Sequence, residues 1–199
     1  MARFVDKEKK AEQIASAAIE VFGDIGYHKT RMEDIAHAAG VGKGTIYEYF
    51  NNKADILRFE FEQFFSAFKS GAIESMAEAA SDDLRLLALV DFTFDHAAAW
   101  EDHCAVYMDY FGTAQARRGE GFSLSNIYAE IQNTIRILIE DGQSSGVIDG
   151  EVDPGAMAEL LVSVFDGVVM HAVFAEAGRD ADSLRLAAKQ LITRGLLSS

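Results

Sequence analysis

Hydrogen-bond donors are concentrated in one short stretch of the chain, residues 43–53. The stretch holds two lysines, two tyrosines and a threonine, which are Lys43, Thr45, Tyr47, Tyr49 and Lys53. Ammonium and hydroxyl groups of this kind bind phosphate oxygens, and Gly44 among them lets a nucleic acid approach the backbone closely. A core helix with packed tyrosines and solvated lysines is the alternative. The clustering of the donors favours contact with DNA phosphates.

The acidic charge of the chain lies outside that stretch. Residues 1–53 carry eight basic and eight acidic side chains, whereas residues 54–199 carry 10 basic and 24 acidic ones. The second part therefore accounts for the whole net charge of −14. A protein with this balance avoids polyanions in general, so only placed contacts from the first quarter can hold DNA.

The pattern of residues 32–50 is typical of a helix-turn-helix. Ala36 is small where the two helices would approach, and Gly40 tolerates the positive φ that the turn requires. Apolar residues spaced to close the corner are Ile35, Ala39, Val41 and Ile46. Thr30 or Arg31 begins the first helix, and Thr is the better N-cap. An ordinary helical hairpin fits the spacing as well, but the donors on the second helix favour a helix that reads DNA.

This stretch resembles the signature of the TetR (tetracycline-repressor-like) transcriptional regulators. The residues that carry the resemblance are Thr30, Asp34-Ile35-Ala36, Ala39-Gly40-Val41, Lys43-Gly44-Thr45-Ile46-Tyr47, Tyr49-Phe50, Lys53 and Leu57. Beyond this motif and the first helix, the chain is similar to the family only in architecture. The resemblance implies a homodimer with an N-terminal DNA-binding domain and a divergent ligand-binding domain.

The resemblance also implies roles for single residues. Those at positions where the family touches DNA or its phosphates are Lys43, Gly44, Thr45, Tyr47, Thr30, Tyr49 and Lys53. Glu48 departs from the family, whose members often have an aromatic residue, His or another neutral residue there. Glu48 is either a solvated carboxylate paired with a cation or a DNA contact that accepts a hydrogen bond from a cytosine amino group. With Glu33 and Asp34 also acidic nearby, we expect modest affinity for DNA.

Helical periodicity dominates the sequence and predicts an all-α fold of nine helices. The expected helices span about 6–23, 31–38, 43–49, 53–79, 82–98, 99–114, 122–144, 154–177 and 181–197. A loop at 117–121 separates two of them. The charge shift near Asn51 predicts a helix-turn-helix DNA-binding domain at 1–53 and a ligand-binding and dimerisation domain at 54–199.

The two last expected helices, 154–177 and 181–197, are apolar on more than one face. Helices of this kind in a small chain pack on a copy of themselves, which predicts a homodimer. The predicted interface residues are Leu161, Phe165, Val168, Val169, Leu184, Ala188 and Leu191. Asp166 and His171 interrupt the first of these helices and are expected at the rim.

Aromatic residues are more abundant between 59 and 139 than a bundle of this size needs. We expect some of them to line a cavity for a largely apolar small-molecule effector. The predicted ligand-binding residues are Phe64, Phe68, Trp100, Tyr107, Phe111, Tyr128, Gln132 and Arg136. Gln132 or Arg136 would hold the polar end of the molecule. Asp91 and Asp95 would suit a cationic ligand and Arg136 an anionic one, and the sequence leaves both open.

Signs of catalytic chemistry are weak. The sequence has no Gly-rich phosphate loop, HExxH motif or nucleophile elbow, so we expect no enzyme, no catalytic residue and no cofactor. Cys104 is the single cysteine and, with His103, forms the only neighbouring Cys/His pair, so we expect neither a disulfide within the chain nor a metal site. No apolar run is long enough for a membrane span and no secretory segment begins the chain, so the cytoplasm is the expected compartment.

These observations predict a ligand-responsive DNA-binding transcriptional regulator. The expected form is a repressor that a largely apolar small molecule releases from a palindromic double-stranded operator. The alternative is an all-α small-molecule-binding or enzymatic domain whose helix-turn-helix is vestigial. A salt-dependent shift of promoter DNA would separate the two.

Overall fold

The computed structural model of the chain describes residues 2–113, 124–174 and 180–197. These ranges contain nine α-helices and one 3-10 turn, Ala97–Trp100. The helices are α1 (Ala2–Ile25), α2 (Met32–Ala38), α3 (Lys43–Ile46), α4 (Lys53–Ala77), α5 (Asp82–Asp95), α6 (Glu101–Phe111), α7 (Ser125–Ser144), α8 (Pro154–Phe174) and α9 (Ala181–Leu196). The predicted all-α fold is confirmed, and the nine helices of the described residues correspond to the nine predicted ones. The predicted loop at 117–121 and the predicted helix end near 177 lie outside the described residues, whereas α6 ends at Phe111 instead of near 114 and α7 begins at Ser125 instead of near 122.

Several helix boundaries differ from the sequence-based expectation. α1 spans Ala2–Ile25 instead of about 6–23, and α4 ends at Ala77 instead of near 79. α3 and α5 also end earlier than expected. α3 ends at Ile46 because the next amides bond three residues back, with Glu48 N–H donating to the Thr45 carbonyl at 3.0 Å. α5 ends at Asp95, and the 3-10 turn occupies the residues that we assigned to its last turn. These last two differences are single tightened turns, which are common at helix ends.

The chain divides into two compact units. One comprises Met1–Ser66 with Asp102–Ser123, and the other comprises Ala67–Glu101 with Leu124–Ser199. α4 begins in the first unit and ends in the second. This division describes packing, and the functional boundary after residue 53 stays a prediction.

The helix-turn-helix of the first unit forms as its spacing predicted. Gly40 has φ +62°, and Val41 N–H donates to the Ala36 carbonyl at 2.9 Å, which closes the end of α2. The buried residues that hold α1, α2 and α3 together include Ile14, Ala18, Phe22, Ile35, Ala36, Ala39 and Ile46. Because these residues fill the corner, the opposite face of α3 is left to solvent.

The core of the second unit lies between α5, α7, α8 and α9. Its buried residues include Leu86, Val90, Ile135, Ile139, Ile148, Leu161, Ile192 and Leu196. Gly142 is required near the end of α7, since a Cβ there would lie 2.6 Å from the Ile148 side chain. The predicted start of α8 is confirmed, because the Asp153 carboxylate accepts from Ala156 N–H at 2.8 Å and Pro154 follows it.

Across the described residues, no helix has the length and apolarity needed to cross a membrane.

Candidate DNA-contact surface and ligand-binding residues

The exposed side of α3 and of the turn that follows it, residues 47–49, presents part of the predicted DNA-binding set. Lys43, Gly44 and Glu48 are exposed, and Tyr47 is 47% exposed although it is aromatic. Thr45 and Tyr49 are partly buried, and the ammonium of Lys7 lies 5.9 Å from the Tyr49 ring centroid. The exposed ring of Tyr47, next to the ammonium of Lys43 and the backbone of Gly44, which has no side chain, is suited to contact with a nucleic acid.

Lys43 already has a partner in α2. Its ammonium lies 2.7 Å from a carboxylate oxygen of Glu33, and both side chains are solvated. The hydrogen bond from Lys43 lowers the pKa of Glu33, and the same bond raises the pKa of Lys43. A DNA phosphate must therefore compete with Glu33 for this ammonium. The sequence placed Glu33 near the helix but did not identify the pair.

Thr30 lies inside the turn between α1 and α2. It is 2% exposed, and its hydroxyl donates to the Gly26 carbonyl at 2.8 Å. The expectation that Thr30 is the better cap of α2 is wrong, because Arg31 occupies the N-cap position and its N–H donates to the Asp34 carboxylate at 2.8 Å. The Thr30 hydroxyl is used instead to fix the turn at Gly26, whose φ is +86°.

Lys53 also faces the α1–α2 turn. Its ammonium donates to the Tyr27 and His28 carbonyls and lies 4.5 Å from the Tyr27 ring centroid. Burial lowers the pKa of Lys53, although the nearby Asp109 and Asp34 oppose the shift. In this structure Lys53 ties the start of α4 to the turn, so its predicted phosphate contact requires these bonds to be shared or exchanged.

The same turn is held from α6. Tyr27 N–H donates to the Asp109 carboxylate at 2.7 Å, and the Tyr27 ring packs edge-on against Tyr110 at 5.2 Å. Burial, with Tyr110 and Asp55 adding, raises the pKa of Tyr27 to about 12. Tyr27 and Asp109 were not among the residues predicted from the sequence, since nothing in local spacing connects residues 82 positions apart.

Three of the predicted ligand-binding residues belong to the first unit. Phe64 stacks on His103 with ring centroids 4.2 Å apart, Tyr107 is buried, and Phe111 lies 5.2 Å from Tyr110. His103 Nε2 is 3.4 Å from a Glu60 carboxylate oxygen. His103, which the sequence considered only beside Cys104, thus lies against the predicted ligand-binding residues of α4 and α6.

The other predicted ligand-binding residues lie in the second unit, where Phe68 and Tyr128 both pack against its core. Phe68 packs edge-on against Trp100 at 5.3 Å. Tyr128 donates its hydroxyl to the Asp166 carboxylate at 3.0 Å. Arg136 donates to Glu140 and Asn133 on its own helix, and Gln132 is partly buried.

Asp91 and Asp95, the alternative site for a cationic ligand, bind cations of α9. Lys189 Nζ lies 2.5 Å from Asp91, and Arg185 Nη2 lies 2.5 Å from Asp95. These two ion pairs join α5 to α9. They account for both carboxylates, so a cationic ligand would have to displace a side chain of this protein.

A further apolar groove of about 300 Å³ lies in the second unit. It is lined by Ile73, Met76, Ala77, Arg85, Thr134, Ile137 and Leu138. None of the predicted ligand-binding residues lines it. Arg85, its one charged residue, is paired with Asp82 at 2.8 Å.

α8 and α9 expose leucines rather than charges on part of their surface. Leu160 is 53% exposed and Leu191 is 60% exposed, and Leu186 is exposed as well. Of the predicted interface residues, Leu161, Val168 and Val169 are buried within the protomer, while Phe165, Leu184 and Ala188 are partly buried. The area open to a partner is thus carried by Leu191 and by two leucines that were not among the predicted interface residues, Leu160 and Leu186.

Two family models match the chain. One, described as bacterial regulatory proteins, tetR family, matches residues 14–58, and the other, described as BetI-type transcriptional repressor, C-terminal, matches residues 83–197. The chain is 27% identical over 190 residues to the fatty acid metabolism regulator protein of Bacillus subtilis (strain 168), covering 96% of this chain and 97% of that protein.

Solved structures are similar over almost the whole chain. The fatty acid degradation regulator FadR from Bacillus halodurans has 29% identity and a TM-score of 0.80, with 94% of this chain and 95% of that chain covered. FadR from Bacillus subtilis in complex with stearoyl-CoA has 26% identity and a TM-score of 0.78, with 92% and 98% covered.

Proposed function

Since the chain belongs to the tetR family of bacterial regulatory proteins and is a ligand-responsive DNA-binding transcriptional regulator, we propose that it is a homodimeric repressor. In this proposal a largely apolar effector with an acyl chain releases it from a palindromic operator. It acts by binding alone, without a catalytic step, in the cytoplasm where bacterial DNA lies. The observation that carries the proposal is the solvent-facing donor set on α3, held by a buried helix-turn-helix corner.

DNA recognition is assigned to the exposed face of α3. Lys43 and the Gly44 backbone are suited to the phosphates, and Tyr47 is the exposed side chain best placed to reach a base edge or sugar. In a two-fold dimer two such helices would enter successive major grooves, about 34 Å apart. The palindrome follows from that symmetry. A vestigial helix-turn-helix would have no need to keep an exposed tyrosine there.

Dimerisation is assigned to α8 and α9. Leu160 and Leu191 would each expose more than half of their surface in an isolated protomer, and a copy of the same face would remove that surface from water. Burial of apolar surface stabilises a dimer by about 25 cal/mol per Å². In an isologous contact both protomers bury the same surface, so each leucine contributes once from each protomer. The same two helices contain the predicted interface residues.

An acyl-chain effector is supported by the relatives and by the aromatic residues. Two relatives similar over nearly the full chain are named for fatty acid metabolism or degradation, and one solved structure holds stearoyl-CoA, whereas a more distant neighbour with 22% identity was solved with choline. Phe64, Tyr107 and their neighbours supply the apolar contact surface that such a chain needs. The paired states of Arg136, Asp91 and Asp95 leave no uncompensated charge among the polar candidates of the second unit.

α6 offers a path from the effector to the DNA-binding surface within the first unit. The helix carries Tyr107, one of the proposed ligand contacts, and two residues later Asp109, which holds Tyr27 N–H. A ligand that shifts α6 therefore pulls on the turn before α2. Coupling of this kind is reciprocal: the effector weakens operator binding by the factor by which the operator weakens effector binding.

The test begins with DNA fragments selected by the dimer from a random double-stranded pool. Binding of the selected fragment is then measured by fluorescence anisotropy against palmitic acid, palmitoyl-CoA, choline and buffer. We expect the acyl compounds to weaken binding and choline to have no effect. Release by choline alone, or recovery of no specific fragment, would contradict the proposal.

The variant Asp109→Asn tests the path through α6. Its amide oxygen still accepts from Tyr27 N–H, but without the charge, so operator affinity in the absence of effector should change little while release by effector is reduced severalfold. Asp149→Asn, a carboxylate outside the first unit, is the control. Equal release by wild type and Asp109→Asn would show that this contact carries no coupling.

A further inference from the structure

Two buried polar atoms on α6 have no hydrogen-bond partner among the residues that the structure describes. They are Oη of Tyr107, a residue only 6% exposed, and Nδ1 of His103. The two residues are four positions apart and so share one side of the helix. Buried polar side-chain atoms nearly always bind protein, water or a ligand. A pair of orphaned atoms one turn apart therefore points to a group that the described residues do not supply.

The surroundings of this pair are aromatic. The Phe61 ring meets the Tyr107 ring edge-on at 4.3 Å, and Phe64 stacks on His103 at 4.2 Å. Phe65 extends the same face through its contact with Phe61 at 4.6 Å. A molecule that brings a polar group to these atoms must thus be apolar elsewhere.

The two atoms offer one donor and one acceptor. His103 Nε2 lies 3.4 Å from a Glu60 carboxylate oxygen, which only accepts, so Nε2 carries a hydrogen, and in the neutral form of the imidazole Nδ1 is then an acceptor. Burial, with Glu60 and Cys104 adding, raises the pKa of the Tyr107 phenol far above its usual range. Its hydroxyl therefore stays protonated and donates.

We infer that Tyr107 and His103 bind the carboxyl group of a free fatty acid. The Tyr107 hydroxyl donates to the carbonyl oxygen, and the O–H of the acid donates to His103 Nδ1. If that proton moves to Nδ1, the imidazolium lies between the carboxylates of Glu60 and the ligand, with the number of protons and hydrogen bonds unchanged. An ester or thioester has only acceptors and would leave Nδ1 unsatisfied. This inference rests on the proposed function, because it specifies which acyl compound the effector is.

Both atoms are covered in this structure, each with almost no accessible surface. A ligand reaches them only when the side chains over them move. Association should therefore be slower than the rates typical of open sites.

The experiment compares palmitic acid with its methyl ester and with palmitoyl-CoA by isothermal titration of the full-length protein. Tyr107→Phe removes only the hydroxyl, and His103→Phe removes the acceptor, together with the N–H toward Glu60, while keeping a ring to stack on Phe64. Tyr27→Phe is the control, because it removes a phenol hydroxyl from the same unit but not from this pair. Palmitic acid should bind about tenfold more weakly to both test variants, as for one lost hydrogen bond. The methyl ester should lose affinity only with Tyr107→Phe.

The thermal midpoint of the ligand-free protein separates a binding role from a structural one. Removing an orphaned buried hydroxyl should leave the midpoint of Tyr107→Phe equal to that of the wild type or above it. A lower midpoint with unchanged affinity for palmitic acid would assign Tyr107 to the core and overturn the inference. If palmitoyl-CoA releases the operator and binds wild type and Tyr107→Phe alike, the proposed function stands and this inference fails. If no acyl compound binds, both fail.

Discussion

The surface around α3 and the surface of α8 and α9 expose opposite kinds of side chain. Near α3 the exposed groups are the ammonium of Lys43, the backbone of Gly44, the phenol of Tyr47 and the carboxylate of Glu48, whereas α8 and α9 expose leucines such as Leu160 and Leu191. Contacts of the first kind are electrostatic and weaken with salt. Contacts of the second kind depend on apolar area and strengthen with excluded salts. One chain thus carries one surface suited to reversible binding of a polyanion and another suited to a lasting contact with its own copy.

The largest effect is expected from a charge on the apolar surface. Leu191→Glu or Leu160→Glu would bury a carboxylate without a partner in the proposed dimer, at a cost of several kcal/mol. Light scattering should then give the mass of a monomer. Leu84→Glu is the matched control, since Leu84 is an exposed leucine of α5 outside the proposed interface. A wild-type protein that is monomeric at micromolar concentration would rule out this surface as a dimer interface.

The next effect concerns Tyr47 and Lys43. Tyr47→Ala should weaken operator binding by about 1–3 kcal/mol, and Lys43→Ala should weaken binding to all sequences and lower the salt slope by about 1. Tyr47→Phe shows whether the aromatic ring or its hydroxyl makes the contribution to operator binding. Arg194→Ala, which removes an exposed cation of α9, should leave binding unchanged. Unaltered affinity in both test variants would remove the DNA-reading role from α3.

A smaller and opposite effect is expected at Glu33. Glu33→Gln frees Lys43 from its ion pair, so affinity for any DNA should rise, by about two- to fivefold at low salt, and the gain should shrink as salt screens the charges. The matched variant is Glu8→Gln, an exposed carboxylate of α1 with no described ion pair in the structure. Anisotropy titrations at two salt concentrations measure the difference. A loss of affinity would mean that Glu33 positions Lys43 for DNA instead of competing for it.

The smallest effect is a pH dependence at Asp166. Partial desolvation raises the pKa of Asp166, and the hydrogen bond from Tyr128 opposes that shift only in part. A raised pKa in the folded state means that the stabilisation is present below the unfolded pKa and is lost as pH rises through the folded one. Asp166→Asn should thus raise the thermal midpoint slightly at neutral pH and flatten its change between about pH 4 and 7. An unchanged profile in Asp166→Asn would assign the pH dependence to other groups.

The sequence by itself determined the helices and the helix-turn-helix corner. The reason is that periodicity, a positive-φ glycine and an Asp-Pro start depend on neighbours within a few residues, as at Gly40 and Asp153. The prediction that α3 carries the hydrogen-bond donors also rests on neighbouring residues alone, namely the composition of residues 43–53. These features could be predicted because no distant residue takes part in them.

Only the tertiary structure decided which donors stay available. Thr30 and Lys53 turn inward to the α1–α2 turn, Lys43 pairs with Glu33, and Asp109 holds Tyr27 from 82 residues away. It also decided that Leu160 is exposed and its neighbour Leu161 buried. On a helix that is apolar nearly all round, the pattern of residues does not show which face is buried. The helices packed against it decide which face is buried and which is exposed.

Only the tertiary structure, likewise, shows that His103 Nδ1 and Tyr107 Oη are buried without a hydrogen-bond partner among the described residues. The sequence placed Tyr107 among possible ligand contacts by its aromatic character alone. Whether a buried hydroxyl finds a partner depends on every chain segment that folds around it, and here the described residues supply none. Helices follow from local chemistry, whereas the partners of ammonium, carboxylate and hydroxyl groups are set by which distant residues the fold brings within hydrogen-bond reach.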